Sequence, residues 1–385
     1  MPIRRRSNRC PIRPMGRRKA ICSAPPTVST QQSSKADPSP RGPAEPCLAG
    51  QSLGKADLRF LSARHQPDFG NGKKQNKVWS ALLTNGGVML DILFIGLSLG
   101  SILLLVALGL AITYGAMGVI NMAHGEMVMI GAYVAVLSGI WLKTSLLLAI
   151  PLAFVVTALL GLIIERVVVR RLYGRLLDTL LATWGIAILL QQAVRLELGL
   201  TFLGIHIEGL GAGLQNVAVP SYLQGTFRFA GADINAYRTF IIAVTAALTL
   251  ATWFILYRTT AGMQVRAIIR NPKMAAACGI DVKRINALTF AFGSGLAGVA
   301  GVMMSGFKTV FPDMGTTMVV DGFMVVVTGG VGSLFGTALS SGLLGEINAL
   351  VAIGTNDILA RAVVFGVVIL VILVKPSGLF SFKGR

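Results

Sequence analysis

The chain has 385 residues, of which 54% are hydrophobic and 13% charged, and its mean hydropathy is +0.70. A chain of this length that is so apolar and so poor in charge is excluded from the soluble globular class and reads as an integral membrane protein. The formal charge of +19 is concentrated at one end: residues 1–88 hold 16 Lys/Arg and 4 Asp/Glu, leaving 19 and 12 for the other 297. The high pI therefore does not signal nucleic-acid binding, because the mild excess in the body is what cytoplasmic loops require.

Residues 1–88 are rich in Pro, Ser and Gln and hold no sustained apolar run, so they are predicted to be a disordered basic tail ahead of a transmembrane domain over 89–385. Its composition fits a transit peptide, an arm for anionic lipid, or sequence upstream of a misassigned start, and Met89 just before the first apolar run favours the last. The stretch Gly50–Lys55 imitates a phosphate-binding loop but is one residue short between its glycines and is followed by Ala56 where Ser or Thr is needed. Any use of ATP then belongs to a partner.

Apolar runs long enough to cross about 30 Å of hydrocarbon fall at roughly 92–112, 126–142, 146–167, 179–197, 239–256, 287–306, 335–353 and 359–374. Two shorter Gly-rich pieces, 113–124 and 319–330, read as broken or re-entrant helices. The prediction is an all-α polytopic bundle of about ten segments, eight full and two short or broken, with both termini on the cytoplasmic side. Arg166, Arg170, Arg171 and Arg175 crowd one loop and Arg258, Arg266, Arg270, Lys273, Lys283 and Arg284 another, so both are predicted to be cytoplasmic. The connection 198–238 balances Arg228 and Arg238 against Glu208 and Asp233 and is predicted to face outward. Small residues one turn apart, at Gly96/Gly100, Gly332/Gly336 and through Gly293–Gly301, predict close helix packing.

Catalysis has little to work with. Cys10, Cys22 and Cys47 lie in the tail, Cys278 is alone in the body, and His65, His124 and His206 are scattered. No catalytic residue, metal site or cofactor is expected, since each needs several groups converging on one point. Three constellations remain. Asn121, His124, Gly125 and Glu126 gather at membrane depth, where an ionisable group costs about 2.5–3.5 kcal/mol and persists only if solvated by protein or water. They either cap a helix break, one of His124 and Glu126 offering an acceptor to orphan amides near Gly125 and the other orienting its neighbour, or line a translocation pathway. The second runs from Asp321 through Thr328 to Gly336 and includes Gly329, Gly330 and Gly332, read equally as a packing element or a pore-lining break. The third is the basic loop from Thr260 to Val282: Asn271-Pro272 can start a short helix, Met274, Ala275, Ala277 and Cys278 give it an apolar face, and Gly279 ends it. It is either a docking knob, with Ala275 as the small residue that enters a partner's cleft, or a plain topogenic loop.

The order Asn121-Met-Ala-His-Gly-Glu126, Arg270-Asn-Pro272 with Ala275 and Gly279, Leu296-Ala-Gly-Val-Ala-Gly301, Gly329-Gly-Val-Gly332 and Lys375-Pro-Ser-Gly-Leu-Phe380 resembles the branched-chain amino acid ABC transporter permease family over essentially all of 89–385. Within it, Thr113–Met127 and Val320–Val327 most resemble the urea permease subunit. The resemblance implies a vitamin-B12-importer-like bundle in the cell inner membrane. It also implies three kinds of partner: a second related permease, two cytoplasmic ATPases and a periplasmic binding protein. It makes Arg270, Asn271, Pro272, Ala275 and Gly279 the ATPase-coupling loop, with Lys273 where the family usually has an acid. The leading expectation is a permease subunit of an ATP-driven importer for urea or a short amide. Its alternatives are a branched-chain amino acid permease and, from another class, an ion-coupled transporter working alone with Glu126 and His124 as a proton relay.

Overall fold

The structure, a computed structural model, describes residues 86–142, 145–197, 209–211, 213–229, 232–376 and 378–379. The expected tail lies outside these residues apart from its last three, with which the first helix begins. The apolar runs become helices because, in lipid, backbone N–H and C=O groups must be satisfied within the segment itself. In chain order these are α1 (Gly86–Met117), α2 (His124–Trp141), α3 (Leu146–Val167), α4 (Leu176–Arg195), α5 (Ala236–Arg258), α6 (Thr260–Arg270), α7 (Pro272–Ala277), α8 (Val282–Ser305), α9 (Met314–Gly329), α10 (Leu334–Gly354) and α11 (Asp357–Val374). Eight of them, all but α6, α7 and α9, are long and apolar enough to cross a membrane, so the chain is a multi-pass membrane protein. At 16 residues, α9 reaches only about 24 Å, in keeping with the short segment expected at 319–330.

The broken segment expected at 113–124 divides between its neighbours. Its first part is the last turns of α1, and Gly118 to Ala123 are unwound ahead of α2. Gly118 has φ +65°, in the region that only glycine enters without cost, and this lets the chain leave α1 and turn back. The piece is thus a break and does not cross by itself, and the first and last described residues lie at opposite ends of the bundle. Gly96 lies against Glu346 and Gly100 against Ser341, so α1 and α10 are antiparallel and α1 begins where α10 ends. The Leu379 amide donates to the Thr328 carbonyl at 2.8 Å, which places the end of α11 beside the start of α10, at the other face.

Two faces follow. Arg170 Nη2 donates to the Lys283 carbonyl at 3.3 Å, so the two Arg-rich loops share one end of the bundle, here called the basic face. At the opposite end, Arg195 pairs with Asp313 at 2.5 Å and Gln215 bridges Val310. There a hairpin, β1 (Thr226–Phe229) and β2 (Ala232–Asn235), pairs Arg228 with Asp233 across its register, and the two side chains are 2.9 Å apart.

Small residues hold the centre together, as expected for helices that no hydrophobic effect drives together inside lipid. In α8, Gly298 faces both Gly131 of α2 and Thr157 of α3, Gly301 lies on the Val128 carbonyl, and Gly293 meets Gly109 of α1. The expected Gly332/Gly336 pair is different: Gly332 sits in the turn before α10 with open space beside it. Around the α1, α2 and α8 centre, Leu105, Leu108, Met127, Leu296 and Met303 are fully buried. By contrast, α4, α5 and α11 leave most of their surface outside the fold.

Candidate functional site

The break before α2 is a polar knot inside an apolar bundle. Asn121 Oδ1 accepts from the Ala123 amide at 3.1 Å, and Thr183 Oγ1 of α4 accepts from the Met122 amide at 3.1 Å, so two amides freed by unwinding find partners. His124, fully buried, donates from Nε2 to the Val106 carbonyl of α1 at 3.1 Å. Glu126, also buried, accepts at Oε1 from Gln191 Nε2 of α4 at 2.8 Å, and the same amide nitrogen donates to Thr316 Oγ1 of α9 at 2.8 Å. The expectation that His124 or Glu126 serves nearby amides is therefore corrected: Asn121 takes that part, while His124 and Glu126 tie α2 to α1, α4 and α9. Gly125 has no side chain because the Gly315 carbonyl of α9 occupies its place. Asn121 Nδ2, His124 Nδ1 and Glu126 Oε2 are buried without a partner among the described residues, and Glu126 Oε2 lies beside Gly315 at the start of α9.

The glycine constellation lies elsewhere. Gly329 packs on Gly336 and Gly330 on Gly378, while Ser333 Oγ caps α10 by accepting from the Gly336 amide at 3.1 Å. Gly332 lines a cavity of about 570 Å³ at the basic face together with Arg266 and Arg270. The structure thus does not bring Gly329, Gly330 and Gly332 to the Asn121–Glu126 knot. It joins Gly332 to the basic loop instead.

That loop folds as expected and further. Asn271 Oδ1 accepts from the Lys273 and Met274 amides, both at 3.1 Å, with Pro272 in the first turn of α7. Gly279, at φ +84°, lets the Ile280 amide reach back to the Ala275 carbonyl at 3.1 Å, a glycine-terminated helix end. Preceding it is α6, whose Val265 and Ile268 are buried while Arg266 and Arg270 face outward. One expectation is corrected: Ala275 is buried inside the chain, only 4% exposed, and Met274 is 61% exposed. Apart from Ala275, the residues of α7 are exposed, Lys273, Met274 and Ala277 among them, as is Cys278 just after it. Beside the loop, Tyr173 donates to Glu165 Oε1 at 2.5 Å. Burial first, and that carboxylate next, raise the phenol's pKa, so it stays a donor.

The polar partners Gln191, Thr316, Arg195 and Asp313 were not anticipated. Gln191 and Arg195 lie four residues apart on an otherwise apolar helix, a pattern that puts them on one face. A second charged group stands at the non-basic end: Arg361 of α11 pairs with Asp321 of α9 at 3.2 Å, near Lys308 and Asp357.

Compared with known proteins, residues 92–373 match the family described as branched-chain amino acid transport system / permease component. The chain is 33% identical to the high-affinity branched-chain amino acid transport system permease protein BraD of Pseudomonas aeruginosa, over 74% of this chain and 94% of the relative. It is 33% identical to LivH of Salmonella typhimurium, over 75% and 94%. It is 26% identical to the probable LivH of Methanocaldococcus jannaschii, over 72% and 88%. No solved structure matches.

Proposed function

Because the chain belongs to the branched-chain amino acid transport permease family, we propose that it is the membrane subunit of an ATP-driven importer and that its solute is an apolar amino acid. The sequence alone favours urea, with branched-chain amino acids as the alternative. The branched-chain amino acid transport named for the relatives supports the alternative. The basic face is the cytoplasmic side by the positive-inside rule, so α7 is presented where an ATPase would dock. The observation that carries the coupling assignment is the construction of α7. It is six residues long, capped by Asn271 and ended at Gly279, with Lys273, Met274 and Cys278 outward. A loop needed only for topology has no use for both ends of a helix being capped.

The partners in this reading are a second permease related to this chain, two cytoplasmic ABC ATPases and an outer-side binding protein, with ATP hydrolysed on the ATPases. The unpaired atoms at Asn121, His124 and Glu126 are assigned to the translocation pathway, where a passing solute or water satisfies them. His124 and Glu126 have separate partners on α1 and α4, an arrangement that disfavours a proton relay between them. The test is uptake of labelled leucine and labelled urea by cells carrying or lacking the gene, before and after ATP depletion. Leucine uptake that needs both the gene and ATP supports the proposal. Gene-dependent uptake that survives ATP depletion refutes it in favour of a transporter acting alone.

A further inference from the structure

Between α1, α9, α10 and α11, at the end of the bundle opposite the basic face, lies a cavity of about 150 Å³. Four charged side chains line it: Lys308 from the α8–α9 connection, Asp321 from α9, and Asp357 and Arg361 from α11. Only one close ion pair forms among them, Arg361 with Asp321 at 3.2 Å. Lys308 makes no ion pair among the described residues. Deeper in, the walls are Leu103, Met318, Met324 and Leu344, all apolar.

Lys308 and Asp357 are exposed at the mouth of this apolar hollow, and Arg361 and Asp321 are partly exposed beside them. The hollow is smaller than the ~300–1,000 Å³ of sites for drug-sized ligands, so it suits one small solute. A solute that uses all of it has a carboxylate for Lys308 and Arg361, an ammonium for Asp321 and Asp357, and an aliphatic group for the walls. Urea, neutral and without an aliphatic part, leaves the four charges to each other and the walls uncovered.

We infer that this cavity, rimmed by Lys308, Asp321, Asp357 and Arg361 and floored by apolar side chains, is a binding site on the permease for a zwitterionic aliphatic amino acid. The inference rests on the importer reading above and adds a site to it, on the face where a binding protein would release its cargo. The site is separate from the Asn121–Glu126 knot: none of those residues lines it. An amino acid entering it exchanges contacts with the Arg361–Asp321 pair and brings Lys308 the carboxylate it lacks.

The experiment uses the purified permease and ATPase complex without its binding protein, and follows thermal unfolding of the permease with four probes. These are L-leucine, 4-methylpentanoate, which lacks the ammonium, L-leucinamide, which lacks the carboxylate, and urea. L-Leucine is expected to raise the melting temperature at concentrations where the other three do not. Lys308→Gln, with an unchanged melting temperature when no ligand is present, should weaken the leucine effect about tenfold or more, the loss of one charge-assisted contact. Lys308→Arg should restore it. Equal shifts from leucine and 4-methylpentanoate, a shift from urea alone, or a wild-type leucine response in Lys308→Gln would each overturn the site. If those shifts fail while ATP-dependent leucine uptake persists, the site is wrong and the importer reading stands. If the wild-type chain supports no ATP-dependent uptake of leucine or urea, the reading beneath the site falls with it.

Discussion

Glu126 and Gln191 offer the most direct test of the polar knot, because one hydrogen bond of 2.8 Å joins α2 to α4 and the same amide holds Thr316 of α9. Removing Gln191 with Gln191→Ala leaves a buried carboxyl group without its partner, a loss of about 1–3 kcal/mol. Glu126→Ala frees the amide, which keeps Thr316, so it should cost less beyond the loss of packing. The quantity that isolates the bond is the double-mutant coupling energy. Side-chain hydrogen bonds in membrane bundles average about 0.6 kcal/mol, whereas bonds to a charged group in proteins reach about 1.5–3 kcal/mol. This pair, buried on the Glu126 side and shared with a third helix, is expected at about 1–2 kcal/mol, intermediate between those two ranges. Reversible chemical unfolding of the four proteins in detergent micelles gives the cycle. Additivity within about 0.3–0.5 kcal/mol, the scatter of independent sites, would refute the claim that Gln191 joins the helices through Glu126.

Four further outcomes follow from the placement of the basic loop. Ala275→Arg should lower stability and the amount of folded protein, because the side chain is buried inside the chain. Met274→Asp, on the exposed face, should leave the melting temperature unchanged while reducing co-purification with the ATPase; the reverse pattern would place the docking face on the Ala275 side. Asn271→Ala removes the cap of α7 at a cost of about 1 kcal/mol, and ATP-driven uptake should fall while membrane insertion is unchanged; full uptake would separate α7 from coupling. With Cys10, Cys22 and Cys47 replaced by Ser, exposed Cys278 should resist an impermeant thiol reagent added outside intact cells, and Gln224→Cys in the same background should react. The opposite labelling would invert the bundle.

The long helices were legible because an apolar run of about 20 residues has few alternatives in lipid, and both Arg-rich loops do meet at one face. The short helix at Asn271–Gly279 was legible for a local reason: a capping side chain, a proline and a terminating glycine act within a few residues of one another. What each of its sides touches was not, since Ala275 and Met274 are adjacent apolar residues and only the packing of α7 on α6 decides which is buried. The helix α6 was hidden by Gly262, which breaks an apolar reading but is required because the Ile255 and Leu256 carbonyls fill the space of a side chain there. Asn121, His124 and Glu126 were visible as costly residues, yet Val106, the partner of His124, and Gln191, the partner of Glu126, are 18 and 65 residues away in sequence. Pairings at that separation depend on how helices pack, which no local pattern encodes. The same holds for Arg361, which is 40 residues from Asp321.

The central claim, that this chain is the permease of an ATP-driven amino acid importer, is tested most directly by reconstitution. The tagged chain is taken from its native membrane with the subunits that accompany it, placed in liposomes with the binding protein on the outer side, and loaded inside with ATP or with a non-hydrolysable analogue. Accumulation of labelled leucine against its gradient with ATP, absent with the analogue, is the predicted result. Equal leucine entry under both conditions, or ATP-driven accumulation of urea without leucine, would contradict it.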